Sequence, residues 1–413
     1  MRIAATGFVA REAGSIASAN AILLKGLLER GHQVDFFSKS SFVDPRSAVG
    51  EHANFRFHEC TNYGPDRLRR TLQRVPLLGF LAGRFDSRTY NKLLIRRISE
   101  ANKSKGGRYD LVLWMGDYAH ASLHGVPSVS FAQGAPGTDA RSVLRRHAEI
   151  RSVAGPMRAK RLELLARLRL SSLGLPRFAC SDHIIVGSSQ SKKTLTSGYA
   201  VPEQDVSSMP YPVDLDLFRP AERCASEKNE ALRALWLGRI VPRKRLDLFL
   251  NGAAEAIKRG LNIKLTVVGG VGFVPGYERL LREFPFPERL EYIANVVRYG
   301  VPDLLARHDV LCQPSEEEDF GSSVAEAQAC GLPVIVGNTN GNSDYLCVRD
   351  VLLSDDRVET LALALERISS QKDKSTSESA LSRSHAGTCF ASERVVDRFE
   401  NILLAVATKH ASN

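Results

Sequence analysis

The sequence is poor in the features that would staple a chain, anchor it in a bilayer or lay it on nucleic acid. Its seven cysteines (Cys60, Cys180, Cys224, Cys312, Cys330, Cys347 and Cys389) are odd in number, scattered, and form no Cys-x-x-Cys pair. That spacing argues against a disulfide framework and a zinc site, and fits a reducing compartment. No apolar run reaches the ~18–20 residues that a membrane-spanning helix needs. The chain opens directly on the strand-like run Met1-Arg2-Ile3-Ala4-Ala5-Thr6, so no signal peptide is expected. Aromatics make up 7% of residues and are not interleaved with the basic stretches. Stacking on single strands needs that interleaving, so no nucleic-acid partner is expected. No solenoid-period repeat is visible. An Asp-x-Asp occurs as Asp214-Leu215-Asp216, but in a turn-rich stretch and not at a strand end. No metal and no other cofactor is therefore expected.

What the chain does have is length, a displaced positive charge and an alternating pattern. Its 413 residues suggest two or three domains at roughly 100–200 residues each. The net charge of +10 is unevenly spread. Residues 65–100 carry nine basic and three acidic side chains, and residues 141–170 nine and two, which leaves the remainder net negative. A basic surface suits anionic lipid, an anionic substrate or polyanions, and a solvated helix face is the plainer reading. Apolar runs at 1–6, 33–38, 110–114, 128–131 and 183–186 read as strands, with an amphipathic helix through Leu23, Leu24, Leu27 and Leu28 ending at Gly31. After the turn-rich residues 210–220 the alternation restarts with strands at 231–238, 264–269, 290–293, 310–312 and 333–337. This predicts an α/β chain of two doubly wound Rossmann-like domains facing across a cleft, with ligands beyond the strands' carboxyl ends. Residues 371–388 read as a mobile surface loop, and 392–408 as a last helix.

Two stretches carry the chemistry. Gly238-Arg239-Ile240-Val241-Pro242-Arg243-Lys244-Arg245 follows the strand at 231–238. From such a turn Arg239 and Lys244 can converge on one anion, while Arg243 and Arg245 read equally well as a solvated basic turn. The second stretch begins Pro314-Ser315-Glu316-Glu317-Glu318-Asp319-Phe320-Gly321-Ser322-Ser323, continues through Glu326, and closes on Cys330-Gly331-Leu332-Pro333. It reads as strand, loop, helix and strand. Backbone N–H groups at residues 320–323 would sit at a helix N-terminus, where anions bind. Glu318 in the loop and Glu326 one turn into the helix are placed to accept hydrogen bonds from sugar or ribose hydroxyls.

Together these stretches resemble family 4 retaining glycosyltransferases of GT-B fold, most closely from residue 231 to 345. The resemblance implies that Arg239 and Lys244 grip a donor diphosphate beside Gly238. It implies that Glu318 contacts the donor sugar, and that Glu326 binds the ribose hydroxyls. Backbone amides of Phe320, Gly321 and Ser322 would approach sugar and phosphate, with Gly14 in an N-terminal loop near the phosphates. It also implies an acceptor-binding domain over residues 1–213, a nucleotide-sugar domain over 214–391, and a helix from 392 to 413 that returns to the first. Ser188 and Val213-Asp214 fall at further family positions, and base contacts would come from residues 293–296.

The implied reaction moves a hexose-type sugar from a UDP- or GDP-linked donor to a glycan or lipid-linked acceptor, with retention and without metal, in cell-surface polysaccharide or glycolipid synthesis. The implied location is cytoplasmic, with peripheral contact to the inner face of an anionic membrane. The sequence departs from the family in four places. Ala13-Gly14-Ser15 replaces a Gly-Gly loop, Gln133-Gly134 stands where a histidine is usual, Arg245 replaces a glycine, and Ser343-Asp344 replaces Pro-Glu. His120, beside Asp117, is the candidate to take part of the missing histidine's role. Two other readings compete: a nucleotide-sugar epimerase on the same scaffold, and a non-enzymatic basic protein that binds membranes or polyanions.

Overall fold

A computed structural model describes residues 1–11, 15–38, 44–60, 76–103, 108–220, 231–371 and 375–412. Two all-parallel sheets organise it. The first contains β1 (Arg2–Gly7), β2 (Gln33–Ser38), β3 (Phe55–Glu59), β4 (Leu111–Met115), β5 (Ser128–Phe131), β6 (His183–Val186) and β7 (Val206–Ser208), in the order β3-β2-β1-β4-β5-β6-β7. The second contains β8 (Leu232–Leu237), β9 (Ile263–Val268), β10 (Leu290–Ile293), β11 (Val310–Gln313), β12 (Val334–Val336) and β13 (Val351–Leu352), in the order β10-β9-β8-β11-β12-β13. Central strands such as Leu-Val-Leu-Trp-Met in β4 are buried along their whole length, as parallel strands covered on both faces must be.

Both sheets reverse direction beside their first strand, between β1 and β4 and between β8 and β11. Crevices open at such reversals, beyond the carboxyl ends. Backbones crowd there: a Cβ on Gly7, at the end of β1, would lie 2.0 Å from the Met115 carbonyl oxygen. The expected pair of doubly wound domains is therefore what the chain forms. The strands β3, β7 and β13 escaped the sequence reading: β7 and β13, at three and two residues, leave no period to detect, and β3 (Phe-Arg-Phe-His-Glu) is an edge strand without a continuous apolar run.

Residues 371–388 are not a mobile loop where the structure describes them. Helix Ser375–Phe390 runs through the segment and buries Ser382, Ala386 and Phe390. Its Ser/Thr/Glu-rich composition hid an anchor made mainly of Ala386 and Phe390, one helical turn apart. The C-terminal helix Ser392–Ala411 lies against helix Ser15–Glu29 so closely that a Cβ on Gly26 would come 2.6 Å from a Val396 methyl. Phe399 is fully buried, edge-on to Phe131 at the end of β5 with ring centroids 5.6 Å apart. Glu400 accepts from the ring of His32 at 2.6 Å and from Arg30 at 3.0 Å. Phe399→Ala is expected to cost about 3–5 kcal/mol in urea unfolding, the usual toll of truncating a buried aromatic. A cost within 1 kcal/mol of zero would mean the helix is not docked through this residue.

Helices Thr138–Arg145, His147–Ala154 and Pro156–Leu170 leave the first sheet after β5 and return before β6. They form an arm whose Ala140, Val143, Ile150 and Val153 join the core of the second sheet, with Trp236, Phe249 and Tyr277. The Tyr277 hydroxyl donates to Glu149 on that arm.

Candidate active site

The loop after β11 carries four consecutive acids, and each is met by a different set of partners. Its backbone is fixed first. The Glu316 N–H donates to the Arg243 carbonyl at 2.7 Å, the Glu317 N–H to the Thr339 hydroxyl at 3.1 Å, and the Gly341 N–H to the Glu318 carbonyl at 2.8 Å. Glu317 takes φ of 47°, a left-handed conformation that turns the acids outward in different directions.

Glu318 points at the turn after β8. Its carboxylate pairs with Lys244 at 2.5 Å and with Arg243 at 2.7 Å, and all three side chains are largely buried. Burial alone would raise the Glu318 pKa. The two cations outweigh that effect and hold it down at about 2. Burial pulls the Lys244 ammonium below its ordinary value, with the Glu318 charge opposing and the Arg239 charge adding to the fall. Gly238 lies alongside: a Cβ placed on it would sit 3.7 Å from the Lys244 methylenes. Arg239 is exposed at the carboxyl end of β8. The ends of β8 and β11 are tied by Gln313, which donates to the Leu237 carbonyl at 2.8 Å and accepts from Ser323 at 2.8 Å.

Arg243 and Arg245 are not the solvated basic turn that the sequence allowed. Arg243 also donates to Asp139 at 2.7 Å, and Arg245 reaches Asp247, Glu316 and Asp356. The other acids are met from the arm. Arg141 holds Glu317 at 2.6 Å, Arg145 holds Glu317 at 2.5 Å and Glu316 at 3.1 Å, and Arg146 pairs with Glu316. Much of the basic character of residues 141–170 thus serves to neutralise this loop.

Asp319 faces the first sheet. It accepts from the Gly187 N–H at 3.0 and 3.1 Å, just past β6, and from the Tyr211 hydroxyl. A Cβ on Gly134 or Gly187 would meet Asp319 at 2.7 Å, so both glycines are required by contact with it. Burial raises the Asp319 pKa to about 6 in spite of these donors. Asp344 makes a second tie, accepting from the Ser189 N–H and hydroxyl at 2.7 Å each.

The remaining predicted residues are dispersed. Phe320 is buried among Tyr211, Tyr345 and Phe390. Gly321 is left-handed (φ 76°) at the start of helix Ser322–Ala329, where a Cβ would press on the Asn340 side chain at 2.8 Å. Glu326 lies inside that helix, buried, and is paired with Arg298 at 3.0 Å. Burial raises its pKa and Arg298 opposes that rise. His120 is not beside Glu318. It pairs with Asp117 at 2.9 Å, sits edge-on to Trp114, and with Gln133 lines a cavity of about 270 Å³ over the ends of β1 and β4. Gly14 lies outside the described residues.

Chemically, the arrangement offers a buried lysine paired with a strongly acidic carboxylate, an exposed arginine and a small-residue turn, all at strand ends. It suits an incoming polyanion able to compete for Lys244. Sequence reasoning missed Arg141, Arg145, Arg146, Asp319, Tyr211 and Arg298. One signal was available: four successive acids in a loop require cations, and residues 141–170 hold the matching surplus.

The family described as Glycosyl transferases group 1 matches residues 219–382, which include Arg239, Lys244, Glu318 and Glu326. The D-inositol 3-phosphate glycosyltransferase of Geodermatophilus obscurus is 31% identical over 257 residues, 56% of this chain and 54% of the relative. The GDP-mannose-dependent alpha-(1-6)-phosphatidylinositol dimannoside mannosyltransferase of Mycobacterium tuberculosis is 25% identical over 226 residues, 52% of this chain and 58% of the relative. Matches to these and similar curated proteins span between 38% and 58% of the relatives' length. Anabaena Alr3699/HepE, crystallised with UDP and glucose, superposes with a TM-score of 0.65 at 14% identity, over 98% of this chain and 99% of that one. The fold is therefore GT-B, two parallel-sheet Rossmann-like domains.

Proposed function

We propose that this chain is a retaining glycosyltransferase that takes a hexose-type sugar from a UDP- or GDP-linked donor. The observation that carries the reading is the Lys244–Glu318 pair beside exposed Arg239 at the ends of β8 and β11. A donor diphosphate replaces Glu318 as the counter-charge of Lys244, and Arg239 closes on the same phosphates from the surface. Glu318, released from Lys244 but still held by Arg243, then accepts from the sugar hydroxyls. Glu326 accepts from the ribose once Arg298 gives way to it or shares it. The bond from the anomeric carbon to the phosphate oxygen breaks, and a bond to the acceptor oxygen forms on the same face. The acceptor's proton passes to the departing phosphate, whose growing charge the two cations stabilise without a metal.

The curated relatives support the class: one is named for an inositol-phosphate acceptor and another for a GDP-mannose donor. A glycan or lipid-linked acceptor in cell-surface polysaccharide or glycolipid synthesis, reached from the cytoplasmic side of a membrane, fits both. Helix Pro156–Leu170 supports membrane contact, because it exposes Met157 and Leu164 among Arg158, Lys160, Arg161 and Arg167.

Thermal denaturation in the presence of UDP- and GDP-sugars tests the reading. A true donor at a hundred times its dissociation constant adds ~2.7 kcal/mol and raises the melting temperature. Arg239→Gln, at an exposed position, should reduce that shift without lowering the ligand-free melting temperature. No shift with any nucleotide sugar would sink the proposal.

A further inference from the structure

A groove of about 1110 Å³ runs along helix Pro76–Asn102. Arg88, Lys92 and Arg96 line it, followed by Lys103 just past the helix end. At 100° per residue these four positions fall within roughly 80° of one helix face, spread over about 22 Å. His124 and Arg177 line the same groove from other segments, and among the described residues Glu100 is its single carboxylate. Glu100 is already engaged by Arg96 at 3.0 Å and Arg97 at 3.7 Å. Among the described residues, Arg88, Lys92, Lys103 and Arg177 make no ion pair.

Like charges at i and i+4 repel each other on a helix. A solvated face of ordinary composition mixes signs to avoid this, as helix Leu246–Lys258 and its Glu255–Arg259 pair do. In the cationic stripe only Arg96 has such compensation, from Glu100, and the stripe lines a groove. The groove meets the 270 Å³ cavity through Ser87, Asn91 and His120, which line both. At its far end that cavity reaches Gln133, whose neighbour Gly134 abuts Asp319, the residue after Glu318. The groove and the cavity thus share lining residues, and the cavity's end is joined to the loop that carries Glu318 by the Gly134–Asp319 contact.

We propose that this groove seats a phosphate group carried by the acceptor, while the acceptor's reacting hydroxyl lies in the cavity beside Gln133 and His120. The inference rests on the glycosyltransferase reading and narrows it to an acceptor that is a phosphate ester or phosphodiester. A dianionic phosphate needs several convergent donors, which a mixed arginine and lysine set supplies. A neutral glycan would use none of them.

The test is calorimetric titration of the full chain with inorganic phosphate and with glycerol 3-phosphate, at low salt. The wild type is compared with the triple variant Arg88→Gln/Lys92→Gln/Lys103→Gln and with Arg239→Gln. The groove reading expects binding that weakens about tenfold or more in the triple variant and persists in Arg239→Gln. Binding lost in Arg239→Gln but kept in the triple variant puts the phosphate at the donor site and overturns the proposal. Flotation with phosphatidylglycerol vesicles separates the phosphate's source. A lipid headgroup is indicated where the triple variant stops floating, and a soluble phosphate ester where it floats unchanged but has lost glycerol 3-phosphate. Wild-type protein that binds no phosphate probe and does not float overturns the proposal outright. A nucleotide-sugar thermal shift that survives in that case leaves the donor reading standing.

Discussion

Lys244→Ala is expected to lower turnover by about a hundredfold or more, the range seen when a fixed donor to a developing oxyanion is removed. In the proposed mode of donor binding Lys244 meets the departing phosphate, and in the structure its buried partner Glu318 lies 2.5 Å away. The same change should cost stability. Glu318 is left in a buried site with Arg243 as its sole cation, and breaking a buried pair costs about 3 kcal/mol at the low end of its range. Arg239→Ala makes the informative contrast. Arg239 is exposed, so turnover should fall while the urea midpoint stays where it was. Turnover by Lys244→Ala within threefold of wild type, in protein shown to be folded, would remove Lys244 from the chemistry and leave it a structural residue.

Replacing Asp319 should change how stability depends on pH. Its carboxyl is raised from an ordinary 3.8 to about 6, chiefly by burial. The folded state therefore holds the proton more tightly than the unfolded state does. Its contribution is fully present below about pH 4 and is lost as pH rises through 6, a fall on the order of 3 kcal/mol. Glu149, raised by burial to about 7, adds a slope of the same sign that extends further. Glu318 acts oppositely in a separate window: held at about 2, its contribution is present above its ordinary 4.5 and lost as pH falls toward 2. Asp319→Asn keeps an acceptor for the Gly187 N–H and should flatten the slope between pH 4 and 6, leaving the part due to Glu149. Asp319→Ala strands the Gly187 N–H and the Tyr211 hydroxyl in a buried site, at about 1–3 kcal/mol for each. Urea unfolding across this pH range reads both. An unchanged slope in Asp319→Asn would mean that the carboxylate does not titrate as a buried group.

The fold was legible because parallel strands buried on both faces must be nearly continuous apolar runs, and β1, β4, β5, β6 and β8 were found within a residue or two. The turn after β8 stood out for a chemical reason: residues 238–245 gather a glycine and four cations in a short span at a strand end, and its donor-binding role is part of the proposal. The partners of those residues were not legible. Nothing local to Arg141, Arg145 or Arg146 says that they face Glu316 and Glu317, because that pairing depends on an arm crossing from one sheet to the other. Asp319 was hidden differently. It is one acid among four in sequence, and only the approach of Gly134 and Gly187 from the first sheet singles it out. His120 illustrates the converse: the Asp-x-x-His spacing correctly joins it to Asp117, but says nothing of its distance from Glu318.

The arm of residues 138–170 also bears on where this chain can be cut. The polypeptide passes between the two sheets after β5, before β6, after β7 and again at the C-terminal helix. No single scission separates the halves. A fragment ending at residue 213 would carry Ala140, Val143, Ile150 and Val153 without Trp236 and Phe249 to cover them. The remaining fragment would keep the Glu316–Asp319 loop and lose the arginines that neutralise it. The half built on the second sheet is thus not a portable module. A chimaera that swaps the second sheet's domain between related chains needs four junctions in the polypeptide, two of them flanking the arm, so that arm and loop are exchanged together.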